Sequence, residues 1–244
     1  MPDTLSIFGY TYQHDLDDGF PLLTTKKMSF SAIAREVCWY ISGDKSIKGH
    51  DIPFWEPWVN DLGEVPSPYG FYWRHFPTTK KQSKYDQGTD QLFYVVETLR
   101  KNPYSRRLVI SAWDPTNAQT SSLPPCHILQ VYNFDGERLN LHLTQRSGDV
   151  PIGIPFNLAG YSLLLSVIAK TLRMKPGVFS HTIVDAHIYE DQVELIKAQA
   201  DRDEKPLPTL EFQTNIKDVF SFRPHDVTLL NYDSHSAINF PVSV

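Results

Sequence analysis

Cys126 is the side chain of this sequence whose type and position best suit a nucleophile. It lies in the run Leu123–His127, directly before a predicted strand, and two prolines stiffen the approach to it. A free thiol has a pKa of about 8.5, so nucleophilic attack requires positive charge nearby. Arg146, just after the predicted partner strand, can supply that charge. A buried structural cysteine is the alternative for Cys126, and it is the only interpretation for Cys38, which lies on an apolar predicted helix.

Three further groups of polar side chains could transfer protons or bind an anion. Glu36 stands in a strongly apolar predicted helix; if it is buried, its pKa is raised and it can transfer protons, whereas an outward-pointing side chain cannot. Arg106 and Arg107 form a basic pair that matches phosphate oxygens, or is a solvated surface feature. Gln145–Asp149 places polar and small residues at a predicted strand end, which suits an oxyanion or phosphate, or a capped loop.

Composition and the absence of common motifs exclude several classes. The net charge of −5 argues against a dedicated nucleic-acid binder. No glycine-rich dinucleotide or triphosphate motif occurs in the sequence. Cys126, His127, Asp185 and His187 supply metal-ligand types, but no second cysteine or helical histidine pair completes a site, so no metal is predicted.

The chain is expected to be soluble and cytoplasmic. Two cysteines do not make a disulfide framework and fit a reducing compartment. The first residues do not read as a secretory signal. The most apolar stretch, Leu158–Ala169, is too short to span a bilayer and is interpreted as a buried helix.

Predicted helices and strands mix without regular alternation, which indicates an α+β fold with a mixed or antiparallel sheet. Strands are predicted at Leu5–Tyr12, Leu108–Trp113, His127–Phe134, Arg138–Thr144 and Thr182–Tyr189. Helices are predicted at Phe30–Ile41, Gln87–Lys101 and Asn157–Leu172, with a further one through Val193, Leu195 and Ile196. Pro53–Tyr85 is expected to be an irregular surface excursion, and the tail from Lys205 to be strand and loop.

Six motifs, in the same order along the chain, resemble those of the thymidylate synthase family. The run Pro124–His127 resembles its nucleophile motif, and Gln145–Asp149 with Gly153–Asn157 resembles its nucleotide-binding segment. The remaining matches are Gly19–Lys26, Ser105–Arg107 before Ser111–Trp113, and Asp185–Tyr189. The resemblance extends from about Thr4 to Val244. It implies one catalytic domain over residues 1–244, with a mixed β-sheet core packed with helices and a homodimer formed through the sheet.

The resemblance also implies a reaction and the residues that perform it. The substrate is dUMP, and 5,10-methylenetetrahydrofolate donates the carbon and the hydride. Cys126 adds as a thiolate to C6 of uracil and makes C5 nucleophilic. Glu36, with ordered water and His127, moves protons at O4, and Tyr69 assists removal of the C5 proton.

Phosphate recognition follows from the same resemblance. Arg146 binds phosphate and lowers the pKa of the thiol, and Ser147 adds a further donor. Arg106 and Arg107 reach the phosphate in the partner subunit's site.

The implied base, ribose and folate contacts complete the set. Asn157 donates to O4 and accepts from N3–H, which suits uracil; cytosine reverses this pattern, and cytosine-modifying relatives carry aspartate there. His187 and Tyr189 hold the ribose hydroxyl. Gln145 and Asp149 belong to the nucleotide-binding residues, and Asp149 also bonds the pterin. The folate is expected to lie on a shelf closed by Val244 and formed by Trp55, Trp58, Leu123, Asp149, Gly153 and Phe156.

The chain departs from the family pattern at several positions. An arginine-containing loop that normally precedes Thr4 is absent, so either the chain is truncated or phosphate binding relies on the other arginines. Glu56-Pro57, Pro151 and Gly160 replace an Asp-Glu pair, an acyclic residue and a serine. Two alternatives therefore stay open: hydroxymethylation, in which water captures the methylene intermediate of dUMP, UMP or CMP, and nucleotide binding without turnover. Trp55, expected beside that methylene, favours methylation.

Overall fold

A five-stranded sheet forms the centre of the protein. The computed structural model describes residues 3–66, 68–77, 88–116, 118–119, 121, 123–213 and 215–242. The strand order is β1-β5-β4-β3-β2, with β1 at Thr4–Asp15, β2 at Val109–Ser111, β3 at His127–Phe134, β4 at Arg138–Asp149 and β5 at Lys175–Tyr189. The pair β4–β5 is parallel and the other three pairs are antiparallel, so the predicted mixed sheet is confirmed. A separate antiparallel pair joins β6 (Thr209–Phe212) to β7 (Val227–Leu230).

Five α-helices accompany the sheet within the described residues. They are α1 (Phe30–Ser42), α2 (Tyr69–His75), α3 (Gln91–Lys101), α4 (Gly153–Leu172) and α5 (Val193–Ala200). Short 3-10 segments lie at Leu16–Asp18, Pro53–Trp58, Glu190–Gln192, Val219–Ser221 and Pro224–Asp226. The α+β class expected from the sequence is therefore confirmed.

Helix α1 begins and ends at the residues that its sequence indicates. The Ser29 side chain accepts a hydrogen bond from the Ala32 amide at the start. Gly43 ends the helix in the left-handed region at φ 77°, which glycine adopts without a Cβ penalty. Glu36 lies on the buried side of this helix, so α1 delivers a carboxylate to the interior.

Helix α4 is the apolar centre of the fold, and it is longer than the apolar stretch seen in the sequence. By length and composition alone its 20 residues meet the requirement for a membrane span, but 72% of its most apolar window is buried inside the protein. A core helix of a globular protein has the same features, and α4 packs on α1, β4 and β5. Its first turns place Gly153, Phe156 and Asn157 at one end of the sheet.

The expectation of an irregular excursion at Pro53–Tyr85 is wrong for its described middle part. Trp55 is buried in a 3-10 segment, and α2 buries Tyr69 and Trp73. Helix α2 approaches α1 at Gly70, where an added Cβ would lie 2.1 Å from the Tyr40 carbonyl oxygen. This close approach is a tertiary contact without a local sequence pattern. Residues 78–87 of the predicted excursion lie outside the described part of the chain.

Strand boundaries differ from prediction where the polar segment begins. The hairpin around Asp135-Gly136 is confirmed, with Phe134 opposite Leu139. However, β4 does not end at Thr144 but continues to Asp149, in register with β5. The segment Gln145–Asp149 is therefore strand, and its alternating side chains point to opposite faces of the sheet.

Candidate active site

A single cavity of about 380 Å³ collects most of the predicted site residues. It lies where β4 and the start of β3 meet the first turns of α4, with α1 and α2 on the opposite wall. Thirteen predicted residues line it: Glu36, Trp55, Trp58, Tyr69, Leu123, Cys126, His127, Gln145, Ser147, Asp149, Gly153, Phe156 and Asn157. A volume of this size is typical of small-molecule sites.

Cys126 directly precedes β3, and both its backbone amide and its backbone carbonyl are in contact with neighbouring residues. Its backbone amide lies 3.5 Å from the Tyr69 hydroxyl, and its carbonyl accepts from the Arg146 amide at 2.9 Å. The Arg146 guanidinium donates to the Pro124 and Pro125 carbonyls at 2.7 and 3.0 Å, which fixes the loop before the nucleophile. Arg146 therefore fixes the backbone around Cys126, and its charge also acts on the Cys126 sulfur.

Arg146 acts to lower the pKa of the Cys126 thiol, as expected, but burial outweighs it. Burial raises the pKa of Cys126 more than Arg146 and the hydrogen bond from Tyr69 lower it, so the net direction is upward. The thiol is therefore mainly protonated near neutral pH. Its reactive form requires either a proton acceptor or a change in the cavity when substrate binds.

Glu36 is a buried carboxylic acid with only 7% of its surface exposed. Trp55 donates its indole N–H to Oε1 at 2.7 Å, and Tyr40 provides a second hydrogen bond. Burial nevertheless dominates and raises the pKa of Glu36 from 4.5 to about 7. The conditional prediction from the sequence is confirmed, and a group that titrates near neutral pH is suited to donate and accept protons.

Replacing Glu36 by glutamine is expected to remove a pH-dependent loss of stability. Because the folded pKa is above the unfolded one, the stabilisation from the protonated acid is present below about pH 4.5 and is lost as the pH rises through about 7. The free energy of unfolding of the wild type should fall relative to Glu36→Gln by up to about 1.4 kcal/mol per pH unit in that window. Urea unfolding of both proteins across the window measures this difference.

The exposed Glu194 on α5 provides the control for that titration. Glu194→Gln should follow the wild-type pH dependence. Parallel curves for wild type and Glu36→Gln would contradict the assignment of a raised pKa to Glu36.

Asn157 and His127 form the polar floor of the cavity. The Asn157 Oδ1 atom accepts from Gln145 Nε2 at 3.2 Å, and a hydrogen bond also joins Asn157 to the His127 ring. His127 Nδ1 contacts the Tyr161 hydroxyl at 3.0 Å, and the ring stacks on Tyr69 with centroids 4.2 Å apart. Burial lowers the pKa of His127 to about 3, so its ring is neutral near pH 7. It can orient polar groups but does not carry positive charge there.

The apolar wall is a cluster of aromatic side chains. The Trp55 and Trp58 rings lie 5.6 Å apart, and Phe156 packs near Phe54 at 6.3 Å. Such a wall suits a flat conjugated ring, because stacking and burial of apolar surface both favour it. The residues predicted as a folate shelf are thus brought together, and their chemistry fits a pterin.

Asp149 closes the polar end of this wall. Its Oδ1 accepts from the Ile152 amide at 3.0 Å, and its Oδ2 accepts from Gln192 Nε2 at 3.2 Å. Gln192 also donates to the Pro241 carbonyl at 3.0 Å, which ties the C-terminal segment to the cavity. This link was not predicted, because nothing in the sequence around Gln192 indicates that it bridges two distant segments.

Five predicted residues do not line the cavity. Arg106 and Arg107 are exposed on the segment before β2, and Arg146 lies behind the nucleophile loop. His187 is paired with Asp149 across β4 and β5, and Tyr189 follows it on β5. Val244 lies outside the described residues, whereas Val242 does line the cavity.

Several lining residues were missed by sequence reasoning. They are Tyr40, Phe54, Gly148, Ile152 and Val242. Tyr40 could have been found, because it follows Glu36 by one helical turn and so shares its face of α1. The others are brought to the cavity by tertiary packing.

A buried lysine next to the site was also missed. Lys26 donates to the Pro151 carbonyl and lies 4.8 Å from the centroid of the Phe240 ring. Burial lowers the pKa of Lys26 to about 8, although the nearby Asp149 carboxylate opposes this shift. The described residues contain no cluster of three His, Cys, Asp or Glu side chains suited to a metal ion.

A comparison with protein families completes the description of this site. The family model described as thymidylate synthase matches residues 2–244. The match covers the loop of Cys126, the whole of β4 and the start of α4, which together build the cavity.

Proposed function

Because this chain belongs to the thymidylate synthase family, we propose that it converts dUMP to dTMP with 5,10-methylenetetrahydrofolate. Membership makes it a one-carbon transferase acting on C5 of a pyrimidine, in a family that uses this folate as cosubstrate. The observation that carries the proposal is one cavity lined by a thiol, a buried acid, a carboxamide and an aromatic wall. These are the groups needed to attack C6, move protons, recognise the base and hold the folate.

The first chemical step is attack of Cys126 on C6 of uracil. The S–C6 bond forms, and the electron pair of the C5–C6 double bond moves towards C5 and O4. Glu36 titrates near pH 7 and can deliver a proton to O4 through a bound water, which stabilises the enol. The proton lost by sulfur must be accepted in the same step: the Glu36 carboxylate takes it up through the bound water as Glu36 supplies the proton to O4, so Glu36 is unchanged at the end and the cavity's net charge stays constant.

The carbon transfer follows at C5. The nucleophilic C5 attacks the folate methylene, and the C5 proton is then removed with the help of Tyr69, whose hydroxyl adjoins the nucleophile. Elimination of the folate leaves an exocyclic methylene on C5. Hydride transfer from the folate reduces this methylene, the S–C6 bond breaks, and the products are dTMP and dihydrofolate.

Asn157 supports uracil as the base. Its Oδ1 accepts from Gln145 on β4, which orients the amide so that its NH₂ group can donate to O4. The 4-amino group of cytosine would place donor against donor. An unpaired polar contact of this kind in a buried site costs binding strongly.

Hydroxymethylation is the second candidate, and Gly160 provides the observation in its favour. Gly160 borders a small space beside Glu36, His127 and Asn157. A Cβ at Gly160 would lie 3.7 Å from Val37 Cγ2, so the missing side chain leaves room rather than relieving a clash. A space of about 10 Å³ holds about one water. Such a water can relay protons for methylation or capture the methylene as a hydroxymethyl group.

Mass spectrometry of the nucleotide and folate products distinguishes these outcomes. With dUMP and 5,10-methylenetetrahydrofolate, the proposal predicts dTMP and an equal amount of dihydrofolate. A 5-hydroxymethyl nucleotide with tetrahydrofolate would establish the second candidate. Binding of dUMP without consumption of folate would contradict both and indicate a nucleotide-binding protein without turnover. If dUMP is inert, UMP, dCMP and CMP are tested next.

The phosphate of dUMP requires positive charge that the described cavity walls lack. No lysine or arginine is among the residues that line the cavity, and Arg146 already bonds two carbonyls. Arg106 and Arg107 are exposed and free to reach outside their own chain. We therefore expect Arg106 and Arg107 of the partner subunit to bind the phosphate.

The surface of β1 supports a dimer. Leu5, Ile7 and Phe8 are 59%, 63% and 88% exposed on this edge strand. Exposed apolar residues grouped on an edge strand mark interaction sites. Association of two copies through the open face and edge of the sheet would cover them.

Mixing two inactive variants is expected to restore activity if the site is shared. The Arg106→Ala/Arg107→Ala double variant lacks the phosphate arginines, and Cys126→Ala lacks the nucleophile. A mixed dimer contains one complete site, because the Cys126→Ala subunit supplies arginines to the other subunit's thiol. Random exchange of subunits should therefore recover about a quarter of wild-type turnover. Turnover measured before and after exchange tests this, and no recovery despite confirmed mixed dimers would contradict a shared site.

A further inference from the structure

A row of hydrogen bonds crosses three neighbouring strands and ends at Asn157. The Tyr12 hydroxyl lies 2.9 Å from His181 Nδ1, and His181 Nε2 lies 3.0 Å from Gln145 Oε1. Gln145 Nε2 then lies 3.2 Å from Asn157 Oδ1. Tyr12 and His181 are directly opposite each other on β1 and β5, and Gln145 is on the adjacent β4. We call these four residues the Tyr12 relay.

The direction of every bond in the Tyr12 relay follows from one fixed acceptor. Gln145 Nε2 also lies 2.9 Å from the Ser147 carbonyl oxygen, which can only accept. The Gln145 NH₂ group must therefore face Ser147 and Asn157, which leaves Oε1 to face His181. Because Oε1 can only accept, His181 Nε2 carries the hydrogen, and a neutral ring then accepts at Nδ1 from the Tyr12 hydroxyl.

The surroundings of His181 hold its ring neutral. The side chain is fully buried, with 0% of its surface exposed. Burial lowers the pKa of His181 to about 3, and the nearby His127 and His142 rings act in the same direction. A neutral ring has two tautomers; Gln145 Oε1 selects the one with the hydrogen on Nε2, and the Tyr12 hydroxyl gives the buried Nδ1 its partner and so holds the ring in place.

The relay ends at Asn157, whose side-chain amide distinguishes uracil from cytosine. A donor aimed at Asn157 Oδ1 stops its amide from rotating by half a turn. A free amide could turn its oxygen towards the 4-amino group of cytosine, whereas a fixed one presents NH₂ and matches O4 of uracil. The fixed orientation of Gln145, which Ser147 and His181 hold from two sides, is thus passed on to the group that faces the base.

We propose that Tyr12 and His181 are positioning residues that fix the orientation of the Asn157 amide and so set the preference for uracil over cytosine. This inference rests on the proposed function, because it assigns the base-recognition role to Asn157. Neither residue lines the cavity, so each acts through Gln145 rather than by touching the nucleotide.

Calorimetric binding of dUMP and dCMP to the intact dimer tests the proposal without requiring turnover. For Tyr12→Phe, the ratio of the dCMP to the dUMP dissociation constant should fall about threefold or more, because the buried Nδ1 of His181 loses its partner and the ring holds Gln145 less firmly. For His181→Leu, which leaves Gln145 Oε1 without a donor, the ratio should fall about tenfold or more. His181→Gln can again place an N–H opposite Gln145 and should restore most of the discrimination.

Tyr132→Phe is the matched control. Its hydroxyl is also buried and donates to Gln130 at 2.8 Å on the same sheet, but it does not belong to the relay. Tyr132→Phe should lose stability without a change in the discrimination ratio. If the wild type prefers dUMP and the ratio is unchanged in both Tyr12→Phe and His181→Leu, the positioning role of Tyr12 and His181 is overturned while the proposed function stands. A wild type that binds neither nucleotide would overturn the proposed function and this inference together.

Long-range ¹H–¹⁵N spectra of histidine-labelled protein report the tautomer directly. The His181 signals are assigned by their loss in His181→Gln. We expect a hydrogen on Nε2 and an unprotonated, hydrogen-bonded Nδ1 in the wild type, and an Nδ1 that has lost this hydrogen bond in Tyr12→Phe. A wild-type spectrum with the hydrogen on Nδ1 would contradict the relay, whatever the nucleotide preference.

Discussion

Replacing Cys126 by alanine is expected to abolish turnover, with kcat lowered on the order of 10⁴-fold or more, because no other described group of the cavity can form the bond to C6. The loss should appear in kcat while dUMP binding stays close to wild type, since the base and phosphate contacts do not use the sulfur. Release of tritium from [5-³H]dUMP in the presence of the folate measures the step directly, because the C5 hydrogen leaves only after the adduct forms.

Cys38 provides the control for this variant. It is the second free cysteine, lies on α1, and its pKa is raised to about 12 by burial. Cys38→Ala should retain turnover within a few-fold of wild type. Tritium release by Cys126→Ala at a rate similar to wild type would contradict covalent catalysis by this thiol.

Replacing Asn157 by aspartate is expected to move the preference from uracil to cytosine. A carboxyl oxygen can accept from the 4-amino group, and the carboxylic acid hydrogen can bond N3 of cytosine. The cavity favours the protonated acid, because the same buried surroundings raise the pKa of Glu36 to about 7. We expect kcat/KM for dUMP to fall roughly 10²-fold and that for dCMP to rise above it.

Side-by-side kinetics with dUMP and dCMP measure this exchange. Asn102→Asp makes the same chemical change at the exposed end of α3 and should leave both values unchanged. Equal losses for both nucleotides in Asn157→Asp would show that Asn157 supports the cavity without reading the base.

The sequence predicts the identity of the site residues better than the tertiary contacts that position them. Cys126, Glu36 and Asn157 were each found from residue type, local motif or the resemblance, and all three line one cavity. Arg146 acts on the thiol pKa in the predicted direction, but the net shift is upward, because burial in the folded cavity outweighs this charge and no local sequence pattern shows it.

The missed features depend on contacts between distant parts of the chain. Helix α2 owes its position to Gly70 against Tyr40, and no periodic pattern marks a helix this short. Tyr12 and His181 are 169 positions apart, and only the register of β1 with β5 makes them neighbours. The extension of β4 to Asp149 is likewise set by pairing with β5, since polar residues at its end resemble a loop.

The most direct test of covalent one-carbon chemistry at Cys126 is the intact mass of the protein after incubation with 5-fluoro-dUMP and 5,10-methylenetetrahydrofolate. Fluorine at C5 cannot leave as a proton, so the reaction should stop with nucleotide and folate both attached to the enzyme. We expect a mass increase equal to both molecules together, located on the peptide of Cys126 and absent from Cys126→Ala. An unmodified wild-type protein, or an adduct on another residue, would contradict it.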